Sequence, residues 1–559
     1  MAKKSYLSQQ IYLMSVASYD FMTDDEWSIY QRIITLGEES KATNDVGLRR
    51  TKIAEKKVEI SNLENLIQAH KGKPRKLRIA NVVNTVKFKD KPVPLGVDWW
   101  DLRISKKVTE FLSIGSRAMG LSNLDITLDK IIIHWKSIDM LEQLVEDGFI
   151  IPILHSDGTV EDRMYHVITA SAGQLRTDRM MALSDAAWAK IQPQMNCGLT
   201  WQRINQRGGI NVTKYLAYEA LSWGATDEWT TFDIDRSIVV DDFETQVTGR
   251  MQLIDQQYQS LRGENTIAIK HTDGAGMTLP GVLPSNSMCR APWIKGCLFI
   301  FDFILYCEEH GVEPVIEDVW GKVHNLKEEN INIIFTKSMF KMWNYYDSWD
   351  EYKQFFKVLG CKAGLTNYEE PVAKDTTINY QMLQQLYMMT DEEIDIFTAP
   401  TYRKICNIAT SPDAMLRTLR ADPDSTNSYN RALSIYPELM REAYSRESLR
   451  NTKRRMTWDA RSGAIYCANK RVFVSPDWYA ACQHWFSHIE NPDGLLPNGY
   501  IACKQFIKYN EVDVLRSPSL YFEHVIEKVA HDDEVYRWFT TNAIVTSCHD
   551  LISKILQFD

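Results

Sequence analysis

The chain has 559 residues, 44% of them hydrophobic and 25% charged, with a formal net charge of −9. That is the composition of an ordinary globular protein long enough for several domains; it excludes a disordered, fibrous or disulfide-scaffold chain. The acidic balance argues for no nucleic-acid partner, yet it leaves one open, because basic residues can be confined to a channel beneath an acidic exterior.

The start, MAKKSYLSQQ, lacks the apolar stretch of a signal peptide. The longest apolar run, residues 297–307, is broken by Asp302, so no membrane span is expected. The 10 cysteines are scattered without a CxxC pair, which fits free thiols in a reducing cytoplasm. Cys482, His484 and His488 offer too few ligands for a zinc site, and partly buried histidines are the plainer reading.

In chain order, residues 1–69 read as helical. Ile53, Val58, Ile60, Leu63 and Leu66 recur at helical spacing among many charges, as in a hairpin arm or a solvated helix. The basic stretch 70–78, broken by Gly72 and Pro74, reads as a linker or a phosphate contact. Strands are expected at 149–154 and around 165–170, with a turn at 156–159 between them. Residues 211–223 form an amphipathic helical pattern. Residues 237–254 alternate as strands, and 232–303 are rich in β-branched residues, Gly and Pro, as in a small barrel. Helical text returns from about 337 to 482, with 378–389 its clearest case and 437–456 strongly basic. Residues 512–515 and 543–546 turn β-like again. The expected fold is therefore multidomain α+β. It divides into a mixed N-terminal region with a helical arm (1–160), a linking slab (161–230), a first barrel region (231–350), a helical connector (351–499) and the opening of a second barrel (500–559).

One loop-like stretch concentrates chemistry. Asp273-Gly274-Ala275-Gly276 is a tight turn whose glycines permit close backbone approach to a ligand. Arg290 and Lys295 follow, with Gly296 next and Pro292 arguing for a loop between them. Such a loop can aim a guanidinium fork and an ammonium at neighbouring phosphates, although a surface hairpin has the same text. No nucleophile elbow, P-loop, HExxH or dinucleotide fingerprint is present.

The order Asp-Gly-x-Gly, Arg-x4-Lys-Gly resembles the first barrel of the silencing-type RNA-dependent RNA polymerases, and still more their phage and bacterial single-chain relatives. The resemblance implies a pair of double-psi β-barrels and template-directed RNA synthesis from nucleoside triphosphates. By its context Lys295 matches the family lysine that faces nucleotide phosphates, with Arg290 in support and Lys270 a second candidate beside Asp273, Gly274 and Gly276. Further on, Arg516 and Pro518 match an Arg-x-Pro segment that precedes the metal loop, but Tyr521-Phe522-Glu523-His524 departs from the family's His-Pro-Gly-Asp. Asp559 falls where the first aspartate of the Asp-x-Asp-Gly-Asp magnesium loop belongs, so the resemblance implies Mg2+ held partly by Asp559 and a reading frame cut at that point. The main expectation is an RNA template. A DNA-directed phage-type polymerase and a non-catalytic nucleic-acid-binding remnant are the alternatives.

Overall fold

A computed structural model describes residues 14–77, 87–88, 91–92, 130–134, 138–154, 159–169, 179–223, 226–254, 259–373, 375–384, 386, 388–515 and 524–549. Helices and several sheets are interleaved along the chain, as the multidomain α+β expectation requires.

The N-terminal arm is a helical hairpin, Asp24–Ala42 and Val46–Ala69. Its first helix opens on a capping box: Thr23 Oγ1 accepts from the Glu26 amide (3.3 Å) and Glu26 Oε2 accepts from the Thr23 amide (2.8 Å). Of the second helix only Leu63 and Ile67 are buried, whereas Ile53, Val58 and Ile60 face solvent, so the apolar spacing there is not a core stripe. The arm is also not helical from its first described residue, because Met14–Ala17 is a strand. The basic stretch after the hairpin is no phosphate contact at Arg75. Its guanidinium is buried and bonds Glu26 Oε2 (2.7 Å) and Oε1 (2.9 Å) and Gln143 Oε1 (2.7 Å).

Beneath the arm lies a 6-stranded sheet, in the order Met14–Ala17, Lys130–His134, Arg179–Ser184, Val160–Thr169, Phe149–Leu154, Arg75–Lys76. Strand Val160–Thr169 pairs on both sides, so this sheet runs across residue 160. The turn expected at 156–159 falls largely outside the described residues.

Two further sheets share a design. Five strands of the central sheet are, in chain order, Ser237–Val240, Ala275–Thr278, Ser287–Ala291, Ile294–Ile300 and Ile333–Thr336. They lie side by side as first, fifth, second, fourth, third; Gly364–Thr366 and Asp227–Glu228 extend the sheet beyond the third. The C-terminal sheet takes Val474–Ser475, Tyr500–Ala502, Glu511–Leu515, His524–Val529 and Ile544–Thr546 in the same spatial order. In both sheets first and fifth are parallel, fifth and second antiparallel, second and fourth parallel, fourth and third antiparallel. The sheets pack on a common core in which Phe299 meets Trp478 and Phe301 stacks on Trp538, with ring centroids 5.9 and 5.5 Å apart.

Between them the connector departs from the helical expectation at 378–389. Ile378 is buried in strand Asp375–Ile378, paired with Ile465–Lys470, and among the described residues up to 389 a single helical turn, Tyr380–Leu383, follows. Burial of that strand edge outweighs local helix propensity. The basic helix begins later than its sequence suggests: Pro437–Arg441 is a 3-10 turn and the α-helix spans Ala443–Arg461.

Candidate phosphate-binding site

Arg290 and Lys295 do not sit on a loop. They lie on the two strands of a hairpin, Ser287–Ala291 and Ile294–Ile300, whose two-residue turn is Pro292-Trp293. Proline suits the first turn position, where its ring presets φ and no amide is needed. Trp293 takes the second with φ 64°, a value that normally calls for Gly. Its indole is almost fully buried and Nε1 donates to the Asn196 carbonyl at 2.9 Å, which holds that conformation in place. The register sets Ala291 opposite Ile294 and Arg290 opposite Lys295. Directly opposed residues project on one face, and like charges so placed repel. Burial pulls the Arg290 pKa below its usual range, and the Cys289 and Cys297 thiols only partly oppose this. Its Nη1 donates to the Cys289 carbonyl (3.3 Å), and among the described residues no carboxylate is ion-paired with it.

The tight turn covers residues 271–274 and not Asp273–Gly276, because Ala275 and Gly276 already pair in strand Ala275–Thr278, and it packs on this hairpin. Gly274 has φ 67°, its amide donates to Ser338 Oγ (2.7 Å), and its carbonyl accepts from the Cys297 amide (2.9 Å). A Cβ on Gly296 would collide with the Gly274 carbonyl and with Met339, and one on Gly276 would collide with the Ile334 carbonyl. The glycines therefore serve three ends: Gly274 supplies the positive φ of the turn, Gly296 lets the turn lie against the Lys295 strand, and Gly276 lets strand Ile333–Thr336 approach. Asp273 itself is exposed at the tip.

Lys270 ends strand Ser260–Lys270 just before the turn. Its Nζ lies 3.3 Å from Glu244 Oε1 and 3.7 Å from Asp242 Oδ2. Burial draws its pKa down, but Asp242, Glu244 and Asp273 more than offset that, so the ammonium is held. Asp242 is structural: buried, it accepts from the Ser338 amide (3.0 Å), Ser338 Oγ (2.6 Å) and Thr272 Oγ1 (3.1 Å). Asp241 is exposed and pairs with Lys337 (2.7 Å), whose Nζ also sits 4.6 Å from the Trp343 ring centroid. No sequence signal marks Lys337; it reaches the site because strand Ile333–Thr336 pairs with Ser237–Val240.

Lys270 and Lys337 line a cleft of about 490 Å³, to which helix Trp478–Ser487 and the residues after it add His484, Glu490 and Asn491. Arg290 and Lys295 do not line it; they stand on the hairpin against which the turn packs. A bridge ties the cleft to the C-terminal sheet. Thr245 Oγ1 meets His271 Nε2 at 2.7 Å and donates to the Cys548 carbonyl at 3.1 Å. Burial, and then the neighbouring His549, push His271 down to about 3, so it is neutral at physiological pH. Arg516 and Asp559 lie outside the described residues. Among the described residues no three His, Cys, Asp or Glu side chains are grouped to hold a metal. Cys482 is buried, His484 Nδ1 is 3.1 Å from the Ile489 carbonyl, and His488 is a left-handed helix cap, so that trio is structural.

Over the whole of its length the chain is 33% identical, across 561 aligned residues, to the DNA-directed RNA polymerase YonO of Bacillus phage SPbeta. The match is to an RNA polymerase. The chain spans 63% of the length of that relative. No family model matches the chain. No helix among the described residues is long and apolar enough to cross a membrane.

Proposed function

We propose that this chain carries the phosphate-binding half of a centre for template-directed RNA synthesis from nucleoside triphosphates, with DNA as the template. The observation that carries the reading is the opposition of Arg290 and Lys295 on one hairpin, packed against the turn that follows Lys270. A guanidinium and an ammonium set side by side on one face can each bond a phosphate oxygen, and a triphosphate or nucleic-acid backbone offers several. Guanidinium and ammonium groups preset around a polyphosphate stabilise the charge that builds as the nucleotide is transferred. The shared strand order of the two sheets supports a pair of related barrels of the double-psi kind.

The relative is named as DNA-directed, which favours a DNA template over the RNA template that the silencing-type resemblance suggested. Magnesium and a metal role for Asp559 belong to the same proposal. In support, the Cys548 carbonyl accepts from Thr245 Oγ1, which also meets the His271 ring next to Lys270 in the chain. The 10 cysteines are free thiols, which suits a reducing cytoplasm.

The test is incorporation of labelled nucleotides on a single-stranded DNA template and on an RNA template of the same sequence. DNA-templated product, abolished by Lys295→Ala while the circular dichroism spectrum is retained, supports the reading. Product that prefers RNA would return the template assignment to RNA, and undiminished synthesis by the Lys295 variant would remove the site.

A further inference from the structure

Far along the chain from Lys295, the helical connector carries a groove of about 610 Å³. Its floor is apolar, built from Ile408, Pro412, Met415, Met440 and Leu449. Its rim is cationic, formed by Arg441, Arg446, Arg450 and Lys453. Helix Ala443–Arg461 supplies most of that rim and holds 6 Lys and Arg against 2 carboxylates, in a chain whose net charge is −9. Helical spacing sets Arg446, Arg450, Lys453, Arg454 and Arg461 on one arc of about 100°. Arg441 and Arg450 have acidic partners, Glu438 and Glu447, at 2.9 and 3.2 Å. Among the described residues no ion pair is made by Arg446, Lys453, Arg454 or Arg461, so this is no salt-bridged solvent face.

Exposed aromatics accompany the charge. Trp458 borders the cationic arc and is 70% exposed, Tyr444 on the same helix is 70% exposed, and Tyr436 just before it is 59% exposed. A solvated helix has no use for an open indole. A surface that grips a flexible polyanion with flat apolar faces does, because cations take the phosphates while bases stack on rings.

We propose that this groove and helix bind single-stranded nucleic acid without sequence preference, as a track separate from the Lys270 cleft. Charge complementarity selects a polyanion, and the aromatic faces beside an apolar trough select one with stacking bases over an acidic peptide. The inference takes from the preceding reading only that nucleic acid is a ligand of this protein. Its test measures binding and not synthesis, so the two can fail separately.

The experiment is fluorescence anisotropy of a labelled oligothymidylate, and of an oligouridylate of equal length, with the full chain and no nucleoside triphosphate. It is repeated in a Lys270→Ala/Lys295→Ala background to remove the central site. Charge reversal of Arg446, Arg450 and Lys453 to Glu is expected to weaken binding at least tenfold. It should also make the log–log salt dependence shallower by about 2, since each phosphate contact on a single strand contributes about 0.7. Trp458→Ala should weaken binding about tenfold with the salt slope unchanged, and Trp458→Phe should restore most of the loss. The stronger of the two oligonucleotides identifies the strand that uses the track. Unchanged affinity and slope in the charge-reversed chain would overturn the proposal, as would polyglutamate competing as well as the oligonucleotide at equal charge.

Discussion

At the residue scale, single atoms decide whether the site can exist. Gly296 has no room for a methyl group, because the Gly274 carbonyl and Met339 occupy the space. Gly296→Ala is expected to destabilise the protein by about 1–3 kcal/mol through overpacking, and to push the Asp273 turn away from Lys295. Thermal denaturation paired with triphosphate binding checks this; a variant unchanged in both would contradict it. His324 makes a second case. Its imidazole is buried, with Nδ1 2.8 Å from Glu329 Oε2 and Nε2 3.1 Å from Asp318 Oδ2. The bond to Asp318 raises its pKa first, burial opposes, and Glu329 adds to the rise. A raised value in the fold means the stabilisation is fully present below roughly pH 6.5 and is lost as pH climbs through the folded value. The melting temperature gap between wild type and His324→Asn should therefore narrow from about pH 6 to about pH 9, and a gap that widens would contradict the assignment. The glycine signature was legible in the sequence because it is local. The opposition of Arg290 and Lys295 was not, because Pro292 reads as a loop and only the buried Trp293 shows that it is a hairpin turn.

At the scale of elements, one ion pair fastens the helical arm to the sheet beneath it. Glu26 caps its own helix through Thr23 and accepts both branches of the Arg75 guanidinium. Burial alone would raise the Glu26 carboxyl, but Arg75, the Thr23 amide and His70 together hold it below its ordinary value. Removing one partner strands the other charge out of water, so Arg75→Ala should cost about 3–5 kcal/mol and free the arm. Limited proteolysis should then cut near residues 43–45, between the two helices, before the rest of the molecule unfolds; uniform resistance at wild-type rates would contradict this. Their helical character could be read from spacing, which left a hairpin arm and a solvated helix equally open. Their anchor could not, because Arg75 sits in a run of Lys, Gly and Pro whose local chemistry is that of a linker.

At the scale of the whole molecule, two sheets share one strand order, and the cations of the cleft, Lys270 and Lys337, come from segments that join or follow strands of the central region. The β character of both regions was visible as branched residues and turns. Their likeness was not, because parallel pairs such as Ser237–Val240 with Ile333–Thr336 join strands far apart in the chain, and no local pattern records such a pairing. For the same reason Lys337 was overlooked and Lys270 was ranked below Lys295, although it is Lys270 that lines the cleft. The central claim is that Lys270 and the Arg290–Lys295 hairpin together receive a nucleoside triphosphate. Equilibrium binding of a fluorescent nucleoside triphosphate to the wild-type chain and to Lys270→Ala/Lys295→Ala tests it most directly. The account predicts affinity lower by about tenfold or more, from two lost charge-assisted contacts, with the melting temperature retained. Equal affinity in a folded double variant would contradict it.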